Sequence, residues 1–198
     1  MISVNVDDRG VAIATAWGVD GHLNGHDVTV LQSMTAQYKG EKYIEIGSYL
    51  GCSAVIIAKE NPETLVYAHD IWETDMKDLP DDSLPPDHVA DYFLNFYSSV
   101  TRLGLERQII PVRGDSKYTM KIHADESAGC VFIDGDHSFQ GCLADLREAW
   151  RVIRPGGVVM VHDCHVGSDV HRAIQEFGET EHHMAQAPAS SIRILKKS

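Results

Sequence analysis

The chain has 198 residues, 43% hydrophobic and 23% charged, which fits one globular domain of ordinary size with a substantial core. Its formal charge of −12 predicts no nucleic-acid partner, since affinity for polyanions comes largely from basic side chains on phosphates. No apolar run approaches the roughly 20 residues of a membrane span, and the opening Met1-Ile-Ser-Val-Asn-Val-Asp-Asp8 lacks the basic and apolar regions of a signal peptide, so the expectation is a cytoplasmic protein with no membrane partner.

Residues 1–20 alternate weakly and read as an N-terminal arm. Val28, Leu31, Met34 and Tyr38 follow helical spacing over 27–38; residues 42–46 form a short strand, and 52–60 a mostly apolar, buried helix. A second strand covers 65–70. Residues 73–87, with three prolines and six acidic residues, read as a polar loop of the kind that shapes a substrate entrance, and 73–100 as a whole as a substrate-side insertion. Val89, Tyr92, Phe93, Phe96, Val100 and Leu103 mark a helix, and 108–112 a third strand. The run Cys130-Val-Phe-Ile-Asp134 is a fourth strand. Phe139, Cys142, Leu143, Leu146, Trp150 and Ile153 trace one helical stripe, closed by Pro155-Gly156-Gly157. A strand ending at His162, a helix over about 168–177 and a last strand over 191–195 complete the series, with His182 and His183 expected in solvent. Alternating strands and helices in one domain, 1–198, predict an α/β fold: a parallel sheet with helices on both faces. Cys52, Cys130, Cys142 and Cys164 form no Cys-x-x-Cys pair and read as buried thiols rather than as a disulfide frame or zinc knuckle.

Short apolar strands that stop abruptly in polar groups are expected of buried parallel strands whose carboxyl ends open onto a site. Two neighbouring strands would thus deliver Asp134, His137, His162 and Asp163 to one sheet edge. Upstream, Glu45-Ile-Gly-Ser-Tyr-Leu-Gly-Cys-Ser53 joins the first strand to a helix N-terminus. Gly47 and Gly51 allow close backbone approach there, and the helix offers free N–H groups. The Gly-x-x-x-Gly spacing departs from the nicotinamide fingerprint, and no Tyr-x-x-x-Lys dyad accompanies it. Asp70 ends the second strand, where a carboxylate typically accepts both ribose hydroxyls. Trp72 can cover an adenine or simply pack, and Asp115 and Ser116 follow the third strand, where an adenine edge would be read.

In this order the motifs resemble the class I S-adenosylmethionine-dependent methyltransferases. The glycine turn with its flanking Ala54 is similar to that of catechol-type O-methyltransferases. Ile133-Asp-Gly-Asp-His-Ser-Phe139, Asp145, Pro155-Gly-Gly157 and His162-Asp163 resemble a bacterial group that includes O-methyltransferases acting on macrolide sugars. The resemblance covers roughly residues 20–178. It implies a Rossmann-like, doubly wound, mostly parallel seven-stranded sheet, with S-adenosylmethionine held by Glu45, Gly47, Ser48, Tyr49, Gly51, Ser53, Asp70, Trp72, Asp115, Ser116 and Asp134. It further implies a divalent cation, Mg²⁺ or Mn²⁺, on Asp134, His162 and Asp163, with His137 as general base and a small-molecule hydroxyl as acceptor. Relatives usually carry a carboxylate at the position of His162, and an imidazole there favours Mn²⁺ or a softer ion over Mg²⁺. Three alternatives stay open: His162 outside the metal shell, a metal-free enzyme with His137 or His165 as base, and a catalytically inactive cofactor-binding accessory protein. Self-association is compatible with all of them.

Overall fold

The computed structural model describes residues 1–6, 12–72, 92–178, 183–186 and 189–198. Its main sheet runs β6(Ile109–Arg113), β5(Val66–Asp70), β4(Tyr43–Ile46), β7(Ala128–Ile133), β8(Ile153–Val161), β10(Arg193–Lys196), β9(His183–Gln186). The first five strands are parallel, and β10 lies antiparallel between β8 and β9. The chain builds outward from β4 through β5 to β6, then returns to lay β7 on the other side of β4. The order therefore reverses between β4 and β7, and the carboxyl ends of these two strands flank the crevice where α/β sheets bind ligands.

The strands are apolar on both faces because both are covered. Tyr43, Cys130, Phe132, Val158 and Met160 point to one core, shared with α1(Gly25–Thr35) and α2(Cys52–Glu60) and including Phe96 of α3(Tyr92–Arg102). Ile44, Ile46, Val131, Ile133, Val159 and Val161 point to the other, shared with α5(Phe139–Val152) and α6(Asp169–Gly178). This period-two division accounts for the continuous apolar runs. The α5 stripe buries Cys142, Leu143, Leu146, Ala149 and Val152. A short helix, α4(Ser116–Thr119), follows β6. All four cysteines are buried and free.

Two expectations change, and one element is added. The N-terminal arm is a three-stranded antiparallel sheet, β1(Ile2–Val6), β2(Ala12–Ala16) and β3(Val19–Gly21). It docks on α2, with Ala14 and Ala16 fully buried and the Cys52 thiol 3.4 Å from the Ala14 carbonyl. Pro155-Gly156-Gly157 does not end a helix: α5 stops at Val152, and the tripeptide lies within β8, where the pairing with β7 shifts register. That bulge requires glycine at 157, where a Cβ would meet the Gly129 carbonyl at 2.8 Å. His183 opens the edge strand β9, an element absent from the sequence reading. The predicted 73–87 loop and Val89 lie outside the described residues, whereas 92–100 form most of α3. No described helix is long and apolar enough to cross a membrane.

Candidate active site

The crevice at the switch point is a cavity of about 1280 Å³, large enough for a nucleoside-sized cofactor and a second molecule beside it. Its wall includes Gly47, Ser48, Tyr49, Ser53, Asp70, Trp72, Asp115, Ser116, Asp134, His137, His162 and Asp163. The structure thus brings together most of the residues singled out from sequence. Glu45 and Gly51 are not on the wall. Glu45 lies beneath it on β4, fully buried, accepting a 3.3 Å bond from the Tyr43 hydroxyl. Gly51 (φ 90°) is glycine because of α3: a Cβ there would sit 2.8 Å from the Phe96 ring. Gly47 (φ 88°) lies against the Asp134 carbonyl, so bare backbone joins the ends of β4 and β7.

Asp70 is already engaged. Its carboxylate accepts the backbone N–H of Tyr49 at 2.8 Å and of Trp72 at 2.6 Å. Both donors have positive φ, 46° and 43°, a conformation that costs energy for a side-chain-bearing residue and is sustained here by the shared carboxylate. Trp72 is packed rather than presented: it tilts against Phe96 and Phe93, and its indole N–H donates to the Tyr49 carbonyl at 2.8 Å. Asp115 caps α4 through the Lys117 N–H. The Ser116 hydroxyl binds Asp145 at 2.6 Å. Asp145, from α5, also lines the cavity, and burial pushes its carboxyl up to about 6 against the Ser116 hydrogen bond. The sequence reading assigns Asp145 no role, although an acid at the middle of a helix, on its buried stripe, is a readable signal.

The residues fit the cofactor on structural grounds. Glu45 Oε1 and the Ser48 hydroxyl are buried at the foot of the glycine turn without a well-aligned hydrogen bond, the Ser48 and Ser53 hydroxyls lying close enough to Glu45 only to oppose the rise of its pKa. Burial raises the Glu45 carboxyl to about 7. Orphaned buried polar atoms beside a cavity are what a polar ligand completes.

At the other end of the cavity, Asp134 follows β7, and His162 and Asp163 follow β8. Main-chain bonds extend the ladder to hold them: the Asp134 N–H to the Ile46 carbonyl at 2.8 Å, and the His162 N–H to the Ile133 carbonyl at 2.9 Å. One ligand atom from each of Asp134, His162 and Asp163 lies within 4.8 Å of the others. Asp163 has φ 52°, the left-handed region that Asp tolerates better than most residues. His162 Nδ1 is 3.0 Å from Asp134 Oδ1 and 3.5 Å from Asp163 Oδ1. Its Nε2 is 3.3 Å from Oδ2 of Asp27, a residue of α1 that the sequence reading assigned only to a helix. Burial works against a charged imidazole, but Asp134, Asp163 and Asp27 outweigh it and hold His162 up at about 12. The His162 imidazole in turn lowers the Asp163 carboxyl. Two carboxylates and one imidazole suit a divalent ion of intermediate softness, such as Mn²⁺.

His137, half exposed, reaches over this group: its Nε2 is 3.5 Å from Asp134 and 3.6 Å from Asp163. The hydrogen bond to Asp134 raises its pKa above the ordinary histidine value. Ser138, not His137, caps α5, accepting the Gly141 N–H. His137 is thereby released from a capping role. His165 is more exposed, with Nε2 3.6 Å from Asp163.

The sequence matches the model of a methyltransferase-domain family over residues 44–164, more than half the chain, and belongs to that family. Solved structures share the fold at low identity. Rv0187 from MTB, solved with cofactor bound, is 17% identical with a TM-score of 0.67, the match covering 88% of this chain and 80% of that one. A caffeoyl-CoA O-methyltransferase-like protein from Staphylococcus aureus is 10% identical with a TM-score of 0.65, covering 87% and 83%. TrmN from Thermus thermophilus is 16% identical with a TM-score of 0.60, covering 86% of this chain and 49% of that one. No curated protein matches the sequence. The chain is thus a methyltransferase, and its fold is the one shared by solved S-adenosylmethionine-dependent methyltransferases.

One expectation falls here. TrmN is a tRNA methyltransferase, so this scaffold serves nucleic-acid acceptors too, and the exclusion of a nucleic-acid partner does not stand. The charge argument failed because a net charge sums over the whole surface, whereas an acceptor meets one local field.

Proposed function

We propose that this methyltransferase acts on a hydroxyl group of a small molecule, with a divalent cation on Asp134, His162 and Asp163 and with His137 as general base. The observation that carries the reading is convergence: the three donors lie within 4.8 Å, beside His137, in the cavity that the glycine turn and Asp70 also line. S-adenosylmethionine supplies an electrophilic methyl group, and a bound divalent ion lowers the pKa of a coordinated hydroxyl. The chain's own part is alignment and proton removal. Gly47, Ser48, Asp70 and Ser116 hold the cofactor, with Glu45 beneath, and His137 Nε2 takes the acceptor proton as the oxygen attacks. Alignment of this kind contributes roughly 7–11 kcal/mol.

A metal-independent reaction is the second reading, favoured by one observation. Both ring nitrogens of His162 already face carboxylates, so an imidazolium can itself hold the acidic group together. The test is S-adenosylhomocysteine release from S-adenosylmethionine with a panel of phenols and sugar hydroxyls, before and after exhaustive chelator dialysis. Loss of turnover with retained S-adenosylhomocysteine affinity, mimicked by Asp163→Ala, supports the metal reading; full turnover after chelation supports the second.

A further inference from the structure

Asp27 sits in the first turn of α1, where its Oδ2 accepts the Asn24 N–H at 3.0 Å in a reciprocal capping box. Such boxes are satisfied at protein surfaces, yet this carboxylate is 1% exposed. Burying a charge is costly unless every lone pair is used. Here they are. Oδ1 accepts the Ser190 hydroxyl at 2.7 Å and the Ser191 N–H at 3.0 Å, with the Ser191 hydroxyl at 3.4 Å. Two serines from the segment entering β10 therefore fix the carboxylate so that Oδ2 faces His162 Nε2.

An imidazole has one nitrogen to offer a metal, and which one is decided by what binds the other. A buried carboxylate on Nε2 keeps the proton there, so Nδ1, on the side of Asp134 and Asp163, is the nitrogen whose proton a cation would displace. Asp27 itself is separated from those two carboxylates by the His162 ring. Capping alone needs neither the serines nor the histidine.

We propose that Asp27 is a positioning residue of the metal centre: it binds the Nε2–H of His162 and so presents Nδ1, between Asp134 and Asp163, to a divalent cation. This rests on the metal reading above. Removing such a partner typically weakens metal binding about 10- to 100-fold. The experiment is calorimetric titration of Mn²⁺ into the full chain saturated with S-adenosylhomocysteine, for wild type, Asp27→Asn and His162→Ala. The expected result is one Mn²⁺ bound by wild type, about 10- to 100-fold weaker binding by Asp27→Asn, and unchanged S-adenosylhomocysteine affinity. A merely structural Asp27 would lower the melting temperature and leave Mn²⁺ affinity alone. If His162→Ala loses Mn²⁺ while Asp27→Asn binds it as wild type does, the inference is overturned and the metal reading survives. If wild type takes up no Mn²⁺, both fall. Should Asp27→Asn not fold, ¹⁵N NMR of wild type loaded with Zn²⁺ decides: metal-bound Nδ1 with protonated Nε2 supports the inference, and a metal-bound Nε2 overturns it.

Discussion

Asp70→Ala removes two things at once, and they can be measured apart. In the cofactor-free protein the carboxylate accepts the Tyr49 and Trp72 amides at 2.8 and 2.6 Å. A hydrogen bond to a charged acceptor contributes about 1.5–3 kcal/mol, and partial exposure places both bonds near the lower figure, so the two together contribute about 3 kcal/mol. Their donors occupy positive φ, which the alanine variant would leave unsupported. At this chain length each kcal/mol moves the melting temperature by about 2–4 °C, so the apo variant should melt about 6–12 °C below wild type. Separately, an unpaired ribose costs about 1–3 kcal/mol of binding, or about a 5- to 150-fold rise in Kd for S-adenosylhomocysteine. Differential scanning calorimetry of the apo protein gives the first quantity and titration calorimetry gives the second. An unchanged apo melting temperature would show that the carboxylate does not hold the turn. An unchanged Kd would remove Asp70 from the cofactor site.

His137→Gln should reduce turnover by roughly 10²- to 10⁴-fold and leave S-adenosylhomocysteine affinity as it is; near-normal turnover would move the base to His165. Gly47→Ala should cost more than about 2 kcal/mol in urea unfolding, because positive φ alone costs about 1–2 kcal/mol and the new Cβ meets the Asp134 carbonyl as well. His69 and His123, buried with their Nε2 atoms 2.9 Å apart, are held down at about 3 and about 4, chiefly by burial. The unfolded chain therefore takes up protons first as pH falls below 6.5, and the stability contributed by the neutral pair is lost from 6.5 down to about 4 for His123 and about 3 for His69, by up to about 1.4 kcal/mol per pH unit for each histidine. A His69→Gln, His123→Gln double variant should show a flatter urea midpoint across that window; an unchanged slope would refute the assignment.

The parallel strands and α5 were legible because burial on both faces writes itself as an apolar run, and burial on one face as a 3.6-residue stripe. The N-terminal sheet was not. Its strands are short, carry Thr15 and Asp20 among the apolar positions, and exist because α2 covers Ala14 and Ala16. At the site, Asp134, His137, His162 and Asp163 could be read from strand ends alone. Gly51 reads as a close approach, and in the structure Phe96 is what approaches it, 45 residues away, which nothing local announces. Asp27 was illegible as a site residue: an acid in a first helical turn reads as a cap, and its partners lie 135 and 163 residues further on.

The group around His162 is gathered from residues 27, 134, 162–163 and 190–191, almost the full span of the chain. During synthesis, α1 emerges early with a carboxylate whose proper neighbours do not yet exist. Until Ser190 and Ser191 arrive and β10 seats itself against β8, burying Asp27 would leave its Oδ1 without the donors those serines supply. Chains cut short before that segment would keep the glycine turn and the Asp70 clamp but not the completed acidic centre. The last strand pair of the sheet is thus tied to the first helix of the domain through a single buried carboxylate.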